Sequence, residues 1–355
     1  MKRTCDIHLE YQPPIVSPPI PMNDLHQQTV SNDQKTLDFF QDIWLRNMAA
    51  NKEIAGSFKE NGIQKLYKKY QNQPVICIGS GPSLKHYAKH LRPFEENGIK
   101  YLGNPGILTI SALHNFAYLT DLGVKIDYWM TLDGGEVVID EMFDGATKFL
   151  DAEKKIIDKE FYRNASKNQK LLSYVGTNPR LWANWLGEKI WFQSVLPNAD
   201  LREKMKKIEP FELYISSGGN VLGGSFYAAK AIFGCNPVIF MGADFSFSYD
   251  HKFHSFDSKY DTMGQVLNVR DIYGNKVKTW ASYYNFKSWF DLKSMHVPGV
   301  YINCSDGCMG AYEQGNIMSI MQKHIEDVLE SYRVSDRLKE NIENLDTTEN
   351  GIVLF

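Results

Sequence analysis

The residues best suited to acid–base chemistry follow an apolar run in the second half of the chain. Residues 238–241, VIFM, predict a buried strand, and Asp244, His251 and His254 come soon after it. Imidazole accepts a proton near neutral pH, so two histidines beside acidic residues are a candidate general base. We predict that the base is His254, with His251 as the alternative, and we count Asp244 as a candidate catalytic residue. Packing, surface exposure or a metal ligand are the other interpretations of the two histidines.

A second candidate feature is the loop GSGPS, which follows the apolar run VICI. Gly79 and Gly81 permit close approach of the backbone, and Ser83 is able to cap a helix that begins here. A helix N-terminus offers N–H groups and a partial positive charge to an anion. The loop, including Ser80, therefore predicts a phosphate site, and a tight turn without a ligand is the alternative.

Three further polar positions follow predicted strands. Asn104 ends one strand where NAD and S-adenosylmethionine sites usually have an acid, so those cofactors are disfavoured. Asp133 ends the next strand, where it would face a ribose or sugar hydroxyl, hold a metal, or cap a helix. Ser216, Ser217 and Gly218 precede a helix and predict a second group of donors for a phosphate or carboxylate.

Apolar runs that predict strands alternate with amphipathic segments that predict helices after residue 73. This alternation is typical of an α/β fold with a doubly wound, mostly parallel, Rossmann-like sheet. Such sheets bind ligands at the carboxyl ends of their strands, which is where the loops described above would lie. The predicted strands are VICIG, IKYLGN, IDYWMTL, KLLSYVG, KIWFQ, NPVIFMGAD and GVYINCS.

We divide the chain into four parts. Residues 1–35 contain PPIVSPPIP and predict a flexible, proline-rich arm, whereas 36–72 have a helical spacing of apolar residues and predict an N-terminal helical segment. Residues 73–320 form the predicted Rossmann-like domain, and 321–355 a C-terminal helix and tail. The arm leaves open whether the protein forms a homo-oligomer.

The composition argues against several classes of function. A net charge of −3 without a long basic block argues against binding to duplex nucleic acid. No apolar run reaches the roughly 18–20 residues that span a bilayer, and the N-terminus lacks the apolar core of a signal peptide. We therefore expect a cytoplasmic protein that does not enter a membrane. The five cysteines are better explained as buried thiols than as a zinc site.

Taken in order, these loops resemble two groups of proteins. VICIGSGPSLKHY, LGNPG, SSGGNVLGGSFYAAKAIFG and MGADF are similar to the motifs of bacterial sialyltransferases that use a CMP-activated nonulosonic acid. The stretch from MGADFSF through His254, then DIYGNKVKT and INCSDGCMG, more closely resembles the motility-associated flagellin glycosyltransferases and the MptE-like 6-hydroxymethylpterin diphosphokinases. The resemblance spans residues 73–320.

The resemblance implies a nucleotide-sugar-dependent glycosyltransferase that inverts configuration and requires no metal or other cofactor. A CMP-sugar is the favoured donor, carrying a nonulosonic acid or related sugar, and the acceptor is a hydroxyl of a glycan, protein or small molecule. The histidine after the Gly-x-Asp strand would be the base. Tyr249 would replace the family tyrosine that assists the departing phosphate, because Ser246 stands at that tyrosine's position.

Carried over by position, the resemblance also assigns the donor-binding residues. The loop from Gly79 to Ser83 would hold the nucleotide phosphate. Asn104 and Asp133 would lie near the ribose, the base or the donor sugar. Ser216, Ser217 and Gly218 would receive the donor's carboxylate or phosphate.

Two other functions remain open from the sequence. In a diphosphokinase that acts on a hydroxymethyl heterocycle, such as a hydroxymethylpterin, Asp133 and Asp244 would bind Mg²⁺. In a non-catalytic nucleotide-binding or assembly module, the proline-rich arm would bind a partner and the histidines would be dispensable.

Overall fold

One large parallel sheet organises the molecule. The computed structural model describes residues 22–196, 198–250, 252–255 and 266–346. Within them, nine strands form a sheet in the order β6-β5-β4-β3-β2-β1-β7-β8-β9, and all neighbouring pairs are parallel. The strands are β1 Val75–Ile78, β2 Leu108–Ala112, β3 Tyr128–Thr131, β4 Lys170–Tyr174, β5 Glu188–Ser194, β6 Tyr214–Ile215, β7 Val238–Met241, β8 Tyr301–Asn303 and β9 Met321–Gln322.

The winding direction of the chain reverses between β1 and β7. From β1 the chain progresses to one edge of the sheet through β6, returns to place β7 beside β1, and then progresses to the other edge. Sheets of this kind bind ligands at the carboxyl edge near such a reversal, which here lies at the ends of β1 and β7. The predicted doubly wound, parallel α/β fold is confirmed.

Helices cover both faces of the sheet, which explains why its central strands are apolar throughout. In β1, Val75 and Cys77 belong to one core cluster, whereas Ile76 and Ile78 belong to the cluster on the other face. All four are fully buried, as expected for a parallel strand covered on both sides. The helices are α1 Met22–Ala55, α2 Leu84–Tyr87, α3 Phe116–Asp121, α4 Val137–Glu141, α5 Lys159–Ala165, α6 Ala199–Ile208, α7 Val221–Tyr227, α8 Ala281–His296 and α9 Ile325–Asp346.

The predicted second strand of the sheet, IKYLGN, was wrong. Ile99–Leu102 pairs instead with Pro93–Glu96 in a small antiparallel hairpin, whose turn contains Asn97 and Gly98 at positive φ. An Asn-Gly pair is a strong hairpin signal, so the sequence did carry this information. The sheet strand at this place is β2, with the sequence LTISA, whose hydroxyl-bearing residues interrupt the apolar pattern.

Tertiary contacts make the polar residues of β2 compatible with burial. The hydroxyl and the N–H of Thr109 both donate to Asp127 Oδ2, at 2.9 and 2.8 Å. Ser111 is also fully buried, and Asn115 Nδ2 donates to its hydroxyl at 3.2 Å. Buried polar groups that are hydrogen-bonded in this way carry little penalty, so a strand need not read as continuously apolar.

The N-terminal helix α1 begins earlier than predicted and packs on the sheet. Residues 22–35, expected in the arm, are helical, and the rest of the arm lies outside the described residues. Asn47 Nδ2 donates to Gly134 O and Gly176 O, both at 2.9 Å, and thereby joins the loops after β3 and β4. Helix α1 therefore helps to shape the carboxyl edge of the sheet.

The C-terminal region also differs from its prediction. Strand β9 extends the sheet past residue 320, and the C-terminal helix begins at Ile325.

Among the helices of the described chain, none has both the length and the apolar character needed to cross a membrane.

Candidate active site

A cavity of about 270 Å³ lies at the carboxyl edge of the sheet, beside the loops that follow β1 and β7. Its walls are formed by the loops after β1, β2 and β7, by the start of α7 and by two aromatic residues of α8, Tyr283 and Phe286. Among the described residues that line it, none is Lys or Arg. The cavity is therefore at the position predicted for a ligand, but the described part of its lining includes no permanently cationic side chain.

The glycines of the β1 loop bring it into contact with the β7 loop. The N–H of Gly79 donates to Met241 O and that of Gly81 to Gly242 O, both at 2.8 Å. A Cβ atom on Gly81 would lie 2.1 Å from Asp244 Oδ2 and 2.7 Å from Gly242 O. Gly79, Ser80 and Gly81 line the cavity as predicted, but the N–H groups of both glycines already have acceptors within the protein.

Asp244 occupies the position that the sequence assigned to a bound anion. Its Oδ2 accepts the Ser83 hydroxyl at 2.8 Å and the Ser83 N–H at 3.3 Å. Burial, and next the neighbouring Asp306, raise the pKa of Asp244 to about 7, although the hydrogen bonds from Ser83 oppose this shift. Ser83 is itself buried and is not among the cavity-lining residues, and both of its donors are bonded to Asp244.

Two histidines meet at the cavity. His254 lies with its ring centroid 4.8 Å from that of His114, and the two rings are nearly perpendicular. The pKa of His254 is lowered to about 4, mainly by the loss of hydration on burial and secondly by the charge of His114. Its imidazole is therefore neutral at pH 7. His114 Nε2 is 2.7 Å from Asp144 Oδ2, which orients its ring. A neutral imidazole at this position is able to accept a proton.

A carboxyl group lies in the same cavity. Burial raises the pKa of Glu141 to about 7; His114 opposes the shift, whereas Asp133 and Asp144 add to it. Glu141 is therefore partly protonated near neutral pH and able to donate a hydrogen bond. Two groups whose pKa values are displaced in opposite directions, here His254 and Glu141, are the arrangement expected of an acid–base pair.

Several predicted site residues lie elsewhere. Asn104 precedes β2 and is therefore at the amino edge of the sheet, where its side chain bonds both the N–H and the carbonyl of Ile107. Tyr249 donates its hydroxyl to Asp271 and accepts from Asn275, and it does not line the cavity. His251 lies outside the described residues.

Asp133 is close to the site without lining it. Its Oδ1 accepts the Gly135 N–H at 2.6 Å, and burial raises its pKa. Strands β2 and β1 separate its strand from that of Asp244, which corresponds to about 14 Å at the usual spacing of strands. The two carboxyl groups predicted to bind Mg²⁺ in a diphosphokinase thus follow strands that are not adjacent in the sheet. No cluster of three or more His, Cys, Asp or Glu residues suited to a metal occurs in the described part of the chain.

The predicted donors before α7 are also displaced from the cavity. Gly218 has φ +59° and lies against the Trp289 ring, while Ser217 Oγ accepts the Gly219 N–H at 3.3 Å. Ser216, Ser217 and Gly218 are not among the lining residues, whereas Asn220, two positions further on, is.

Comparison with known proteins identifies the family. Residues 47–250, more than half of the chain, match the family model described as 6-hydroxymethylpterin diphosphokinase MptE-like. The chain belongs to the MptE-like family. No curated protein matches the sequence. A solved structure, that of the MAf glycosyltransferase from Magnetospirillum magneticum AMB-1, is similar over 84% of this chain and 41% of its own, at 15% identity and a TM-score of 0.48. The MptE-like chain thus spans less than half the length of that protein.

Sequence reasoning missed four residues near the cavity of this MptE-like protein: His114, Glu141, Asp144 and Asn220. His114 is the second residue after β2, so recognising LTISA as a strand would have identified it. Glu141 and Asp144 lie in and after α4, and no local pattern in the sequence distinguishes them from surface acids. Asn220 carried a signal, because Asn before a helix is a preferred N-cap.

Proposed function

We propose that this MptE-like protein is a glycosyltransferase that uses a nucleotide-activated donor and His254 as its general base. The observation that carries the proposal is the position of the neutral His254 imidazole in a cavity at the switch point of the sheet, beside the His114–Asp144 pair. We further propose a CMP-sugar as the donor and a metal-independent, inverting reaction.

In the proposed mechanism, His254 takes the proton of the acceptor hydroxyl while the hydroxyl oxygen bonds to the anomeric carbon. The bond from that carbon to the nucleotide phosphate breaks, and its electron pair leaves with the phosphate. An adjacent phosphate raises the pKa of a histidine, so donor binding would make His254 a stronger base than it is in the free protein. Protonated Glu141 would donate a hydrogen bond to an oxygen of donor or acceptor.

A nucleotide panel tests this proposal. The melting temperature is measured with cytidine, uridine, guanosine and adenosine nucleotides, each with and without Mg²⁺, because a ligand that binds the folded state raises it. Stabilisation by a cytidine nucleotide without metal, followed by turnover of a CMP-sugar, is the expected result. A panel in which no nucleotide changes the melting temperature would contradict the proposal and favour a non-catalytic module.

Substitution of the base gives a sharper test. His254→Gln is expected to lower kcat by roughly 10²–10⁴-fold, the usual contribution of a general base. Its melting temperature and donor affinity should remain close to wild type. His296→Gln is the matched control, because His296 is exposed in the last turn of α8. A His254→Gln protein that retains wild-type turnover would exclude this histidine as the base.

A diphosphokinase is the second candidate, and it is supported by the description of the family model. In this reaction ATP would transfer pyrophosphate to a hydroxymethyl heterocycle, with Mg²⁺ neutralising the phosphates. The aromatic walls at Tyr283 and Phe286 would suit a flat ring, and Glu141 would bind ring N–H groups. Stabilisation by ATP that requires Mg²⁺, with none from cytidine nucleotides, would select this function.

A further inference from the structure

Asn220 is fixed at the cavity by the start of α7. Its side-chain Oδ1 accepts the Gly223 N–H at 2.9 Å, and its backbone carbonyl accepts the Gly224 N–H at 3.1 Å. The helix lies very close to the preceding loop, since a Cβ atom on Gly223 would be 1.8 Å from Ser217 O. Asn220 therefore has little freedom to turn its side chain elsewhere.

The cap determines which way the carboxamide points. Because the Gly223 N–H requires an acceptor, the atom facing it is Oδ1, and the other atom is the donor Nδ2. Nδ2 is buried, and no acceptor among the described residues lies within hydrogen-bonding distance of it. A buried donor left in this state costs about 1–3 kcal/mol, which a ligand oxygen would recover.

The cavity lining suggests what that oxygen belongs to. No lysine or arginine is among the described lining residues, and the N–H groups of Gly79 and Gly81 already have acceptors. Neutral donors such as a side-chain amide are therefore candidates to bind an anionic ligand in this cavity. We propose that Asn220 binds a phosphoryl oxygen of the nucleotide donor through Nδ2. This inference rests on the proposed function and assigns Asn220 the donor-binding role that the sequence gave to Ser216–Gly218.

Two Asn→Asp variants separate donor binding from capping. Asn220→Asp keeps a residue that caps helices as well as Asn does, but replaces the Nδ2 donor by a negatively charged oxygen. Asn198→Asp is the matched control, because Asn198 caps α6 in the same way, by accepting the Leu201 N–H at 2.9 Å, and is not a cavity residue. Calorimetric titration of CMP and of cytidine is carried out on both variants and on the wild type.

The inference predicts a loss specific to the phosphate. CMP affinity should fall at least about tenfold in Asn220→Asp and stay within about twofold of wild type in Asn198→Asp, because only the first change places a charge against the phosphate. Cytidine affinity should be similar in all three proteins. Equal CMP affinity in the wild type and Asn220→Asp would overturn the inference and leave the proposed function intact.

A second measurement is independent of the identity of the base. The side-chain amide signals of Asn220, identified by their absence from the Asn220→Asp spectrum, are followed by NMR during titration with inorganic pyrophosphate. We expect them to shift. If they shift although none of the four nucleoside monophosphates binds, Asn220 is a phosphoryl ligand as inferred, and the nucleotide donor of the proposed function fails. Signals that do not move with pyrophosphate or with any of the four nucleotides overturn the inference.

Discussion

Two loops rich in glycine and serine, GSGPS after β1 and SSGGN before α7, have nearly the same composition and different roles. In the first, the N–H groups of Gly79 and Gly81 donate to carbonyl groups at the end of β7. The hydroxyl and the N–H of Ser83 donate to Asp244. In the second, Asn220 lines the cavity and caps a helix with Oδ1, while its amide donor Nδ2 is buried without a partner among the described residues. The first loop thus holds the ends of β1 and β7 together, whereas the second is the proposed binding site for the nucleotide donor.

The difference shows that composition identifies a tight turn but not the acceptor of its N–H groups. Asp244 follows β7 and is 161 residues away from Ser83 along the chain, and its side chain accepts from Ser83 as a phosphate would. Only the adjacency of β1 and β7 brings it there. Changes in the first loop should therefore alter stability, and changes in the second should alter binding.

The largest expected effect is that of Gly81→Ala. Its Cβ atom would lie 2.1 Å from Asp244 Oδ2 and 2.7 Å from a backbone oxygen, so the β1 and β7 loops must move apart, at a cost of about 3 kcal/mol or more. Urea unfolding measures the change. The control Gly98→Ala has open space around it and should cost only about 1–2 kcal/mol, from its positive φ. Equal losses in the two variants would mean that the β1 and β7 loops are not tightly joined.

The second-largest expected effect is a change in the pH dependence of stability in Asp244→Asn. The folded pKa of about 7 is above the unfolded value, so the folded state holds the extra proton at low pH and the wild type loses stability as pH rises through 7. Between pH 5 and 8 this loss amounts to roughly 2–3 kcal/mol, and the variant should not show it. Free energies of unfolding of the wild type and the variant, measured across that pH range, give the difference. Parallel curves for the two proteins would show that Asp244 is ionised throughout.

The smallest effect distinguishes the two serines. Ser83→Ala removes a buried bond to Asp244 and should cost about 1–3 kcal/mol, whereas Ser217→Ala should change stability by less than about 0.5 kcal/mol. Neither change should lower CMP affinity by more than about twofold, because neither serine lines the cavity. A large loss of CMP affinity in Ser217→Ala would restore the role that the sequence predicted for it.

Much of the fold was predictable because local pattern and tertiary structure agree there. Strands such as VICI and VIFM are apolar throughout since both faces of the sheet are covered, and that pattern is visible in the sequence. The prediction failed at β2, whose buried Thr109 and Ser111 are hydrogen-bonded by Asp127 and Asn115, side chains that lie outside the strand. It failed at the N-terminus as well, where prolines favoured an arm and the helix begins at Met22.

The sequence by itself determined the parallel α/β architecture, the order of its loops and the placement of His254 after a buried strand, because each depends on neighbours along the chain. Only the tertiary structure decided that His114, Asp144 and Glu141 join His254. The tertiary structure also decided that Ser83 is bonded to Asp244, and that Asn104 lies at the amino ends of the strands, away from the cavity. The physical reason is that a hydrogen-bond donor or a titratable group acquires its role from the atoms packed around it, and here those atoms come from strands far apart in the sequence.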